Sequence, residues 1–256
     1  MLDPADEFQG RGAFVTGAGG GIGRATVLEL ARRGVVVTAA DLDAAGLADT
    51  RREAAALGRD VATEIMDVTD PAQVARVVER AEAATPLQFL VTAAGVYGTG
   101  AVEKLSDAAW RRCMEVNAYG VFHVCRSALP GMVRRRSGAI VNMSSLHAQN
   151  GQAGASHYAA SKAAVIGFTK SLAREKGGLN IRANCVSPGP IDTKLWRGGK
   201  TGDELARVMA QRAAAIPLGR IGQPDDVAGV IVFLLSSAAA FVTGQVIPVG
   251  GGEIMR

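Results

Sequence analysis

The sequence predicts an α/β fold in which a mainly seven-stranded parallel sheet carries helices on both faces. The chain has 256 residues, of which 48% are hydrophobic, so it can bury a sizeable core. Short apolar runs alternate with longer segments of helical spacing, which is typical of strand–helix–strand crossovers. Several runs are continuous rather than alternating in polarity, as in strands that helices cover on both faces. The predicted strands are residues 13–16, 35–40, 61–66, 89–93, 139–144, 181–186 and 246–249.

The segments between these runs account for the helices. Helical spacing marks residues 74–81, 121–133 and 155–176. Residues 227–252 carry no charge, but serine, glycine and proline interrupt them, so they indicate a buried helix, a turn and the last strand rather than a membrane span. Residues 192–215 lack a regular pattern and predict a flexible substrate flap. No linker divides the chain, so residues 1–256 are predicted to form a single domain.

Composition and charge argue against several classes of protein. The three cysteines are far apart, so neither a disulfide framework nor a cysteine zinc site is expected, and reduced thiols fit a cytoplasmic protein. The 28 basic and 24 acidic residues are dispersed, so a nucleic-acid partner is not expected. The acidic N-terminus lacks the apolar run of a signal peptide. No histidine has a metal-ligand spacing, and no metal is expected.

A glycine-rich loop follows the first predicted strand and opens a helix. Gly17, Gly21 and Gly23 have the spacing G-x-x-x-G-x-G. A phosphate site needs a tight turn, backbone amides close to the phosphates and close packing of the helix on the strand. A plain strand–helix turn can give the same pattern, so this loop alone is weak evidence for a nucleotide site.

Asp41 strengthens the nucleotide interpretation. It ends the second predicted strand, 18 residues after Gly23, where a carboxylate can accept hydrogen bonds from both hydroxyls of an adenosine ribose. It would also repel a 2′-phosphate, and no lysine or arginine precedes Gly21 in the loop, so NAD is favoured over NADP. A helix N-cap is the alternative role for Asp41, although Asp43 could fill it instead.

A second group of polar residues suggests redox chemistry. Tyr158 and Lys162 lie four residues apart in a predicted helix, so they share one helix face. Ser145 follows the strand 139–144, at the sheet edge where open α/β sheets bind ligands. Asn117 is predicted to lie within a helix, where asparagine is disfavoured unless it has a structural or functional role.

Jointly these motifs resemble those of the short-chain dehydrogenase/reductase family over essentially the whole chain. The resemblance implies a Rossmann-type doubly wound sheet and transfer of a hydride between NAD(H) and a secondary alcohol or ketone. The segments that carry it are residues 16–23, Asp67-Val68, Ala94-Gly95, Asn117, Ser145, Tyr158 with Lys162, residues 187–193 and residues 244–247.

The resemblance also assigns roles to residues. Asn117, Ser145, Tyr158 and Lys162 would form a catalytic tetrad. The residues implied for cofactor binding are Gly17, Gly19, Gly21, Ile22, Gly23, Asp41, Leu42, Asp67, Val68, Ala94, Gly95, Tyr158, Lys162, Pro188, Gly189, Ile191 and Thr193.

The chemistry of the tetrad follows from the residue types. Tyrosine has an ordinary pKa of about 10, and a nearby ammonium and a cationic nicotinamide are expected to lower it so that Tyr158 exchanges a proton with the alcohol. Ser145 would hold the substrate oxygen, and Lys162 would also bind the nicotinamide ribose. Asn117 would hold a water that connects Lys162 to solvent.

One departure from the family pattern and two alternative functions remain. Thr92 stands where the family usually has asparagine and is expected to replace that polar contact. The first alternative is an NADP-dependent 3-oxoacyl-carrier-protein reductase, for which Arg136 resembles a carrier-docking arginine but Leu179 lacks the second charge. The second alternative is a non-catalytic dinucleotide sensor, against which the complete tetrad argues.

The sequence gives less information about the substrate and the oligomeric state than about the fold and the cofactor site. The substrate is expected to be a small alcohol or ketone, such as a polyol, a steroid-like ring or an aryl ketone. Small residues on the helix 155–176 predict an apolar surface that a homotetramer would bury. The residues expected to contact substrate are Val96, Tyr97, His147, Gln149, Gln152 and Trp196.

Overall fold

A computed structural model describes residues 7–255, and within them seven parallel strands form one sheet in the order β3-β2-β1-β4-β5-β6-β7. Each strand lies within two residues of its predicted bounds, so the predicted fold class is confirmed. The N-terminal residues 1–6, in which no signal peptide is expected, lie outside the described residues. The strands are β1 (Gly12–Thr16), β2 (Val36–Asp41), β3 (Ala62–Ile65), β4 (Leu87–Thr92), β5 (Gly138–Met143), β6 (Ile181–Pro188) and β7 (Val246–Val249).

Helices cover both faces of this sheet. One hydrophobic core lies under α1, α2 and α10, and a second lies under α3, α5 and α7 on the opposite face. The helices are α1 (Gly21–Arg32), α2 (Ala44–Ala56), α3 (Pro71–Ala84), α4 (Asp107–Met114), α5 (Gly120–Arg135), α6 (His147–Asn150), α7 (Ser156–Lys176), α8 (Lys194–Arg197), α9 (Gly202–Ala214) and α10 (Pro224–Leu235).

The burial of the strands explains their continuous apolar sequences. Every residue of β1 and of β5 is buried, because helices cover the sheet from both sides. The edge strand β3 is more exposed, and Ile65 at its end is 57% exposed. A strand with alternating apolar and polar residues would place polar side chains against one of the helix layers, so continuous apolar sequences fit β1 and β5.

The order of the strands places a cleft at the centre of the sheet. The chain runs outward from β1 through β2 to β3, then returns to form β4 on the other side of β1. Ligands of open α/β sheets bind at such a reversal, outside the carboxyl ends of the strands. Beside it, the Thr92 hydroxyl donates to the Asn142 side chain across β4 and β5 at 2.8 Å, so Thr92 does make a buried polar contact.

The prediction of an irregular segment over residues 192–215 was wrong in part, because most of it is helical. Two glycines with positive φ, Gly198 and Gly199, separate α8 from α9. Acidic residues in the first turn of α9 and Arg212 in its last turn complement the helix dipole, which favours a helix there. That this segment moves, and that residues 1–256 act as a single catalytic domain, stay predictions.

The uncharged C-terminal stretch folds as the sequence predicts. It contains most of α10, a 3₁₀ turn and β7. Six residues of α10 are buried against the sheet, which accounts for the lack of charge. No helix within residues 7–255 is long and apolar enough to cross a membrane.

Candidate active site

A cavity of about 630 Å³ opens at the carboxyl ends of the central strands. Every residue that the sequence analysis implied for cofactor binding lines it. Ser145, Tyr158 and Lys162 also line it, whereas Asn117 lies behind the wall. The glycine loop and the tyrosine therefore face one continuous space, as a dinucleotide with a substrate beside it would require.

The glycine loop is close to the chain's own backbone at two positions. A Cβ on Gly17, whose φ is +68°, would lie 2.6 Å from backbone atoms of Ala93 and Ala94. A Cβ on Gly23 would lie 2.0 Å from the carbonyl oxygen of Gly17. By contrast, a Cβ on Gly20 would meet no atom within 4 Å, so the cavity side of the loop is open.

These distances predict opposite effects for two glycine-to-alanine changes in one loop. Gly23→Ala should lower the free energy of unfolding by about 1–3 kcal/mol, because the new methyl group overlaps rigid backbone. Gly20→Ala is the matched control and should melt like the native protein, since its methyl group enters open space from an extended backbone. Thermal denaturation measures both; equal melting temperatures for the two variants would contradict the close packing of this loop.

Asp41 faces the cavity at the end of β2. Its carboxylate accepts hydrogen bonds from the backbone N–H groups of Gly19 at 2.8 Å and Asp43 at 2.9 Å. The N-cap of α2 is Asp43, which accepts from the N–H of Gly46, so the capping alternative for Asp41 is excluded. These two hydrogen bonds fix the carboxylate beside the glycine loop, at the part of the cavity wall where an adenosine ribose would lie.

Tyr158 and Ser145 lie together in the opposite half of the cavity. The Tyr158 ring contacts the rings of Tyr97 and His147 edge-on, at centroid distances of 4.9 Å and 6.1 Å. Burial raises the pKa of Tyr158 to about 12, against the lowering effect of a hydrogen bond with Ser145. The Ser145 hydroxyl also accepts from the N–H of His147 at 3.2 Å. A phenol with this pKa is protonated at neutral pH.

Lys162 is buried behind the tyrosine on the same helix. Its ammonium donates to the carbonyl of Met143 at 2.9 Å, and burial lowers its pKa to about 8. Burial disfavours the charged forms of both groups, phenolate and ammonium alike. That the ammonium and a cationic nicotinamide together lower the pKa of Tyr158 stays a prediction.

Asn117 lies in a π-helical turn rather than in a regular α-helix as predicted. The turn, Glu115–Tyr119, joins α4 to α5. The fully buried amide accepts from the N–H of Val96 at 2.8 Å and donates to the carbonyl of Val96 and the hydroxyl of Ser161 at 3.0 Å. Asn117 therefore fixes the loop after β4 against α7. Its predicted role as the holder of a water stays a prediction.

Five of the six residues that were expected to contact substrate line the cavity. Val96, Tyr97, His147, Gln152 and Trp196 line the cavity, whereas Gln149 does not. The carboxylate of Asp67 accepts two hydrogen bonds from Thr69; burial raises its pKa, but these bonds and the charge of Arg112 outweigh burial and lower it. The sequence analysis missed Arg112 as a lining residue. It included the substrate flap 192–215 without naming the flap residues that line the cavity, which are Lys194, Leu195, Lys200, Val208 and Arg212 besides Thr193 and Trp196.

Comparison with known proteins gives the family. A family model described as enoyl-(acyl carrier protein) reductase matches residues 17–253. A solved short-chain type dehydrogenase/reductase from Mycobacterium ulcerans superimposes with a TM-score of 0.90 at 35% identity, covering 96% of this chain and 90% of that one. The chain belongs to the short-chain dehydrogenase/reductase family.

Two curated relatives show the range of this family around the chain. A 3-oxoacyl-(acyl-carrier-protein) reductase from Thermotoga maritima is 40% identical over 249 residues, covering 97% of this chain and 99% of the relative. A 2,3-dihydro-2,3-dihydroxybenzoate dehydrogenase from Escherichia coli is 38% identical over 255 residues, with the same coverage. The protein is thus a short-chain oxidoreductase that acts on CH–OH groups with a nicotinamide dinucleotide.

Within residues 7–255, no group of three or more histidine, cysteine, aspartate or glutamate side chains could hold a metal ion. The three cysteines are buried and free, and they lie outside the residues that line the cavity.

Proposed function

We propose that the protein is an NAD-dependent dehydrogenase that interconverts a secondary alcohol and a ketone, with Tyr158 as the general acid and base. The observation that carries the proposal is the placement of Tyr158, Ser145 and Lys162 at one end of a cavity whose other end holds the glycine loop and Asp41. The substrate is a small molecule, and the protein works as a cytoplasmic enzyme.

The residues of the chain suit a proton transfer beside a bound nicotinamide. The cofactor, when bound, donates or accepts the hydride. Tyr158 carries a proton at neutral pH, as a phenol with its ordinary pKa of about 10 already does, so it can protonate a ketone oxygen during reduction. The hydroxyl of Ser145 lies beside it and can hold the same oxygen. Lys162 offers a buried hydrogen-bond donor and a proton behind the tyrosine.

Asp41 supports NAD rather than NADP as the cofactor. Its carboxylate is fixed by two backbone N–H groups and would repel a 2′-phosphate. The arginine nearest to the loop, Arg24, is bound to the carboxylate of Glu53 at 2.8 Å and to the carbonyl of Gly19 at 2.7 Å. Glu53 therefore neutralises the charge of Arg24, and Arg24 is not among the residues that line the cavity.

Cofactor preference gives a direct test of Asp41. Asp41→Asn should weaken NADH binding and bring the affinities for NADH and NADPH closer together, because repulsion of the 2′-phosphate is removed. Asp70→Asn is the matched control, since this residue caps α3 outside the cavity and asparagine caps equally well. Fluorescence titration with both cofactors measures the change; an unaltered preference in Asp41→Asn would exclude this residue as the selector.

The second candidate is an NADP-dependent 3-oxoacyl-carrier-protein reductase. The relative from Thermotoga maritima favours it. Arg136 is exposed at the end of α5 but donates to the carbonyl of Gly178, and Leu179 beside it is uncharged, so a second docking cation is missing. The carboxylate of Asp41 would repel the 2′-phosphate of NADP, which argues against this candidate.

A substrate screen distinguishes the candidates. The protein is assayed with NADH and with NADPH against simple ketones, oxo acids and a 3-oxoacyl thioester. Faster reduction of non-thioester ketones with NADH supports the proposal, and thioester reduction with NADPH supports the second candidate. Binding of NADH without turnover of any compound would indicate the non-catalytic sensor.

We also propose a homotetramer. Ala163, Ala164 and Gly167 are exposed along α7, and beside them the half-exposed rings of Phe122 and Phe168 form an apolar patch. The same surface of another copy would cover this patch and form a pair. The uncharged C-terminal stretch, in which Phe233 and Phe241 are exposed, offers the second surface through which two pairs would form a tetramer.

The assembly is tested by adding charge to this patch. Ala163→Arg should dissociate the assembly into smaller species, because it places a cation in the proposed contact. Ala55→Arg, on exposed α2, is the control and should leave the assembly unchanged. Light scattering at micromolar concentration should give about four chains for the native protein; a native monomer would refute the proposal.

A further inference from the structure

The charges that line the cavity are divided between its two halves. The acidic side chains on its wall are Asp41, Asp43 and Asp67, all near the glycine loop and the following strands. Among the described residues that line the cavity, α8, α9 and the segment between them contribute Lys194, Lys200 and Arg212 but no carboxylate. The other basic lining residue, Arg112, is near Asp67. The substrate half is therefore electropositive.

Arg212 lines the same cavity as Tyr158 and His147. It lines the cavity with Val208, one turn earlier on the same face of α9. The rings of His147 and Tyr158, which line the same cavity, pack edge-on at a centroid distance of 6.1 Å. Burial lowers the pKa of His147, and the positive charge of Arg212 lowers it further. The guanidinium and the phenol therefore belong to the wall of one continuous cavity.

The guanidinium is held weakly by the protein. Its ion pair with Glu253 is a single contact at 3.9 Å between groups that are 43% and 29% exposed. Exposed pairs of this kind contribute about 0–1 kcal/mol, so a ligand can compete for the arginine. Glu253 itself lies against Gly189, since a Cβ there would be 3.1 Å from its carboxylate. Glu253 is therefore near both Arg212 and the cavity residue Gly189.

We propose that Arg212 binds a carboxylate of the substrate, so that the enzyme acts on a hydroxy acid or oxo acid rather than on a neutral alcohol. A guanidinium presents paired N–H donors that match a carboxylate. The guanidinium can balance one negative charge. Because Arg212 and Tyr158 line the same cavity, one small substrate can place its carboxylate at Arg212 and its carbonyl group at Tyr158. This inference rests on the proposed function for its chemistry.

Pairs of acids and esters test the proposal. Reduction by NADH is measured for a series of 3-oxo and 4-oxo carboxylates and for their methyl esters. The native enzyme should prefer the acids, and Arg212→Gln should lower kcat/KM for acids about ten- to hundred-fold, mainly through KM, with little change for esters. Arg207→Gln, an exposed change on the same helix, should have no effect. Equal rates for acids and esters, or equal losses for both in Arg212→Gln, would overturn the proposal.

A binding measurement separates this inference from the proposed function. The same acids and esters are titrated calorimetrically into the NAD⁺-loaded native protein and the NAD⁺-loaded Arg212→Gln variant. Selective binding of acids that the variant loses would support the carboxylate site even if no compound is turned over, in which case only the proposed function fails. If the native protein binds none of the acids better than its ester, the carboxylate site is wrong.

Discussion

Replacing Tyr158 with phenylalanine is expected to lower turnover by about 10²- to 10⁴-fold while leaving the fold and NADH binding intact. The change removes only the hydroxyl that exchanges a proton with the substrate oxygen. The ring that packs against Tyr97 and His147 remains, so the cavity should keep its shape. Steady-state kinetics measure the loss, and NADH titration and thermal denaturation measure what is retained.

Tyr119→Phe is the control for this change. Tyr119 is 57% exposed and packs on His123, away from the cavity, so losing its hydroxyl should not alter turnover. Substantial activity in Tyr158→Phe would mean that another group carries the proton.

Replacing Lys162 with methionine is expected to abolish most of the turnover and yet to stabilise the protein at neutral pH. Lys162 is buried, and its pKa falls from 10.5 to about 8 on folding because burial disfavours the ammonium. At pH 7 the native protein therefore carries a buried charge that methionine lacks. The melting temperature of the variant should be about 5–10 °C higher at that pH.

The difference in stability between the native protein and Lys162→Met should depend on pH. Between pH 8 and 10.5 the unfolded chain binds a proton at Lys162 that the folded chain does not, so the native protein gains stability with rising pH. The advantage of Lys162→Met should shrink across this window and stay constant below pH 8. Lys170→Met, an exposed change on the same helix, should show no such trend. A pH-independent difference would show that the pKa of Lys162 is not lowered.

Most of the sheet was predictable because two-sided burial leaves a strong signal in the sequence. Continuous apolar runs predicted β1 and β5, both of which are fully buried. The cofactor half was predictable as well, since phosphate loops and the residue that ends the second strand are fixed by local geometry. The N-cap at Asp43 is also local and left Asp41 free to face the cavity.

The features that could not be predicted depend on contacts between distant segments. Asn117 lies in a π-helical turn, and its amide binds the backbone of Val96, 21 residues away. The place of Arg212 in the cavity depends on how α9 lies against the rest of the chain, which the sequence of that segment does not reveal. The raised pKa of Tyr158 depends on burial of the helix that carries it.

Transfer of deuterium from labelled cofactor tests the central claim most directly. The native protein is incubated with a panel of ketones and oxo acids and either NADH or NADPH that carries deuterium at the transferred position of the nicotinamide, and the products are analysed by mass spectrometry. We predict at least one alcohol product with a single deuterium on its carbinol carbon, formed faster from NADH than from NADPH. No labelled alcohol from any compound, or equal or faster labelling from NADPH, would contradict an NAD-dependent alcohol dehydrogenase.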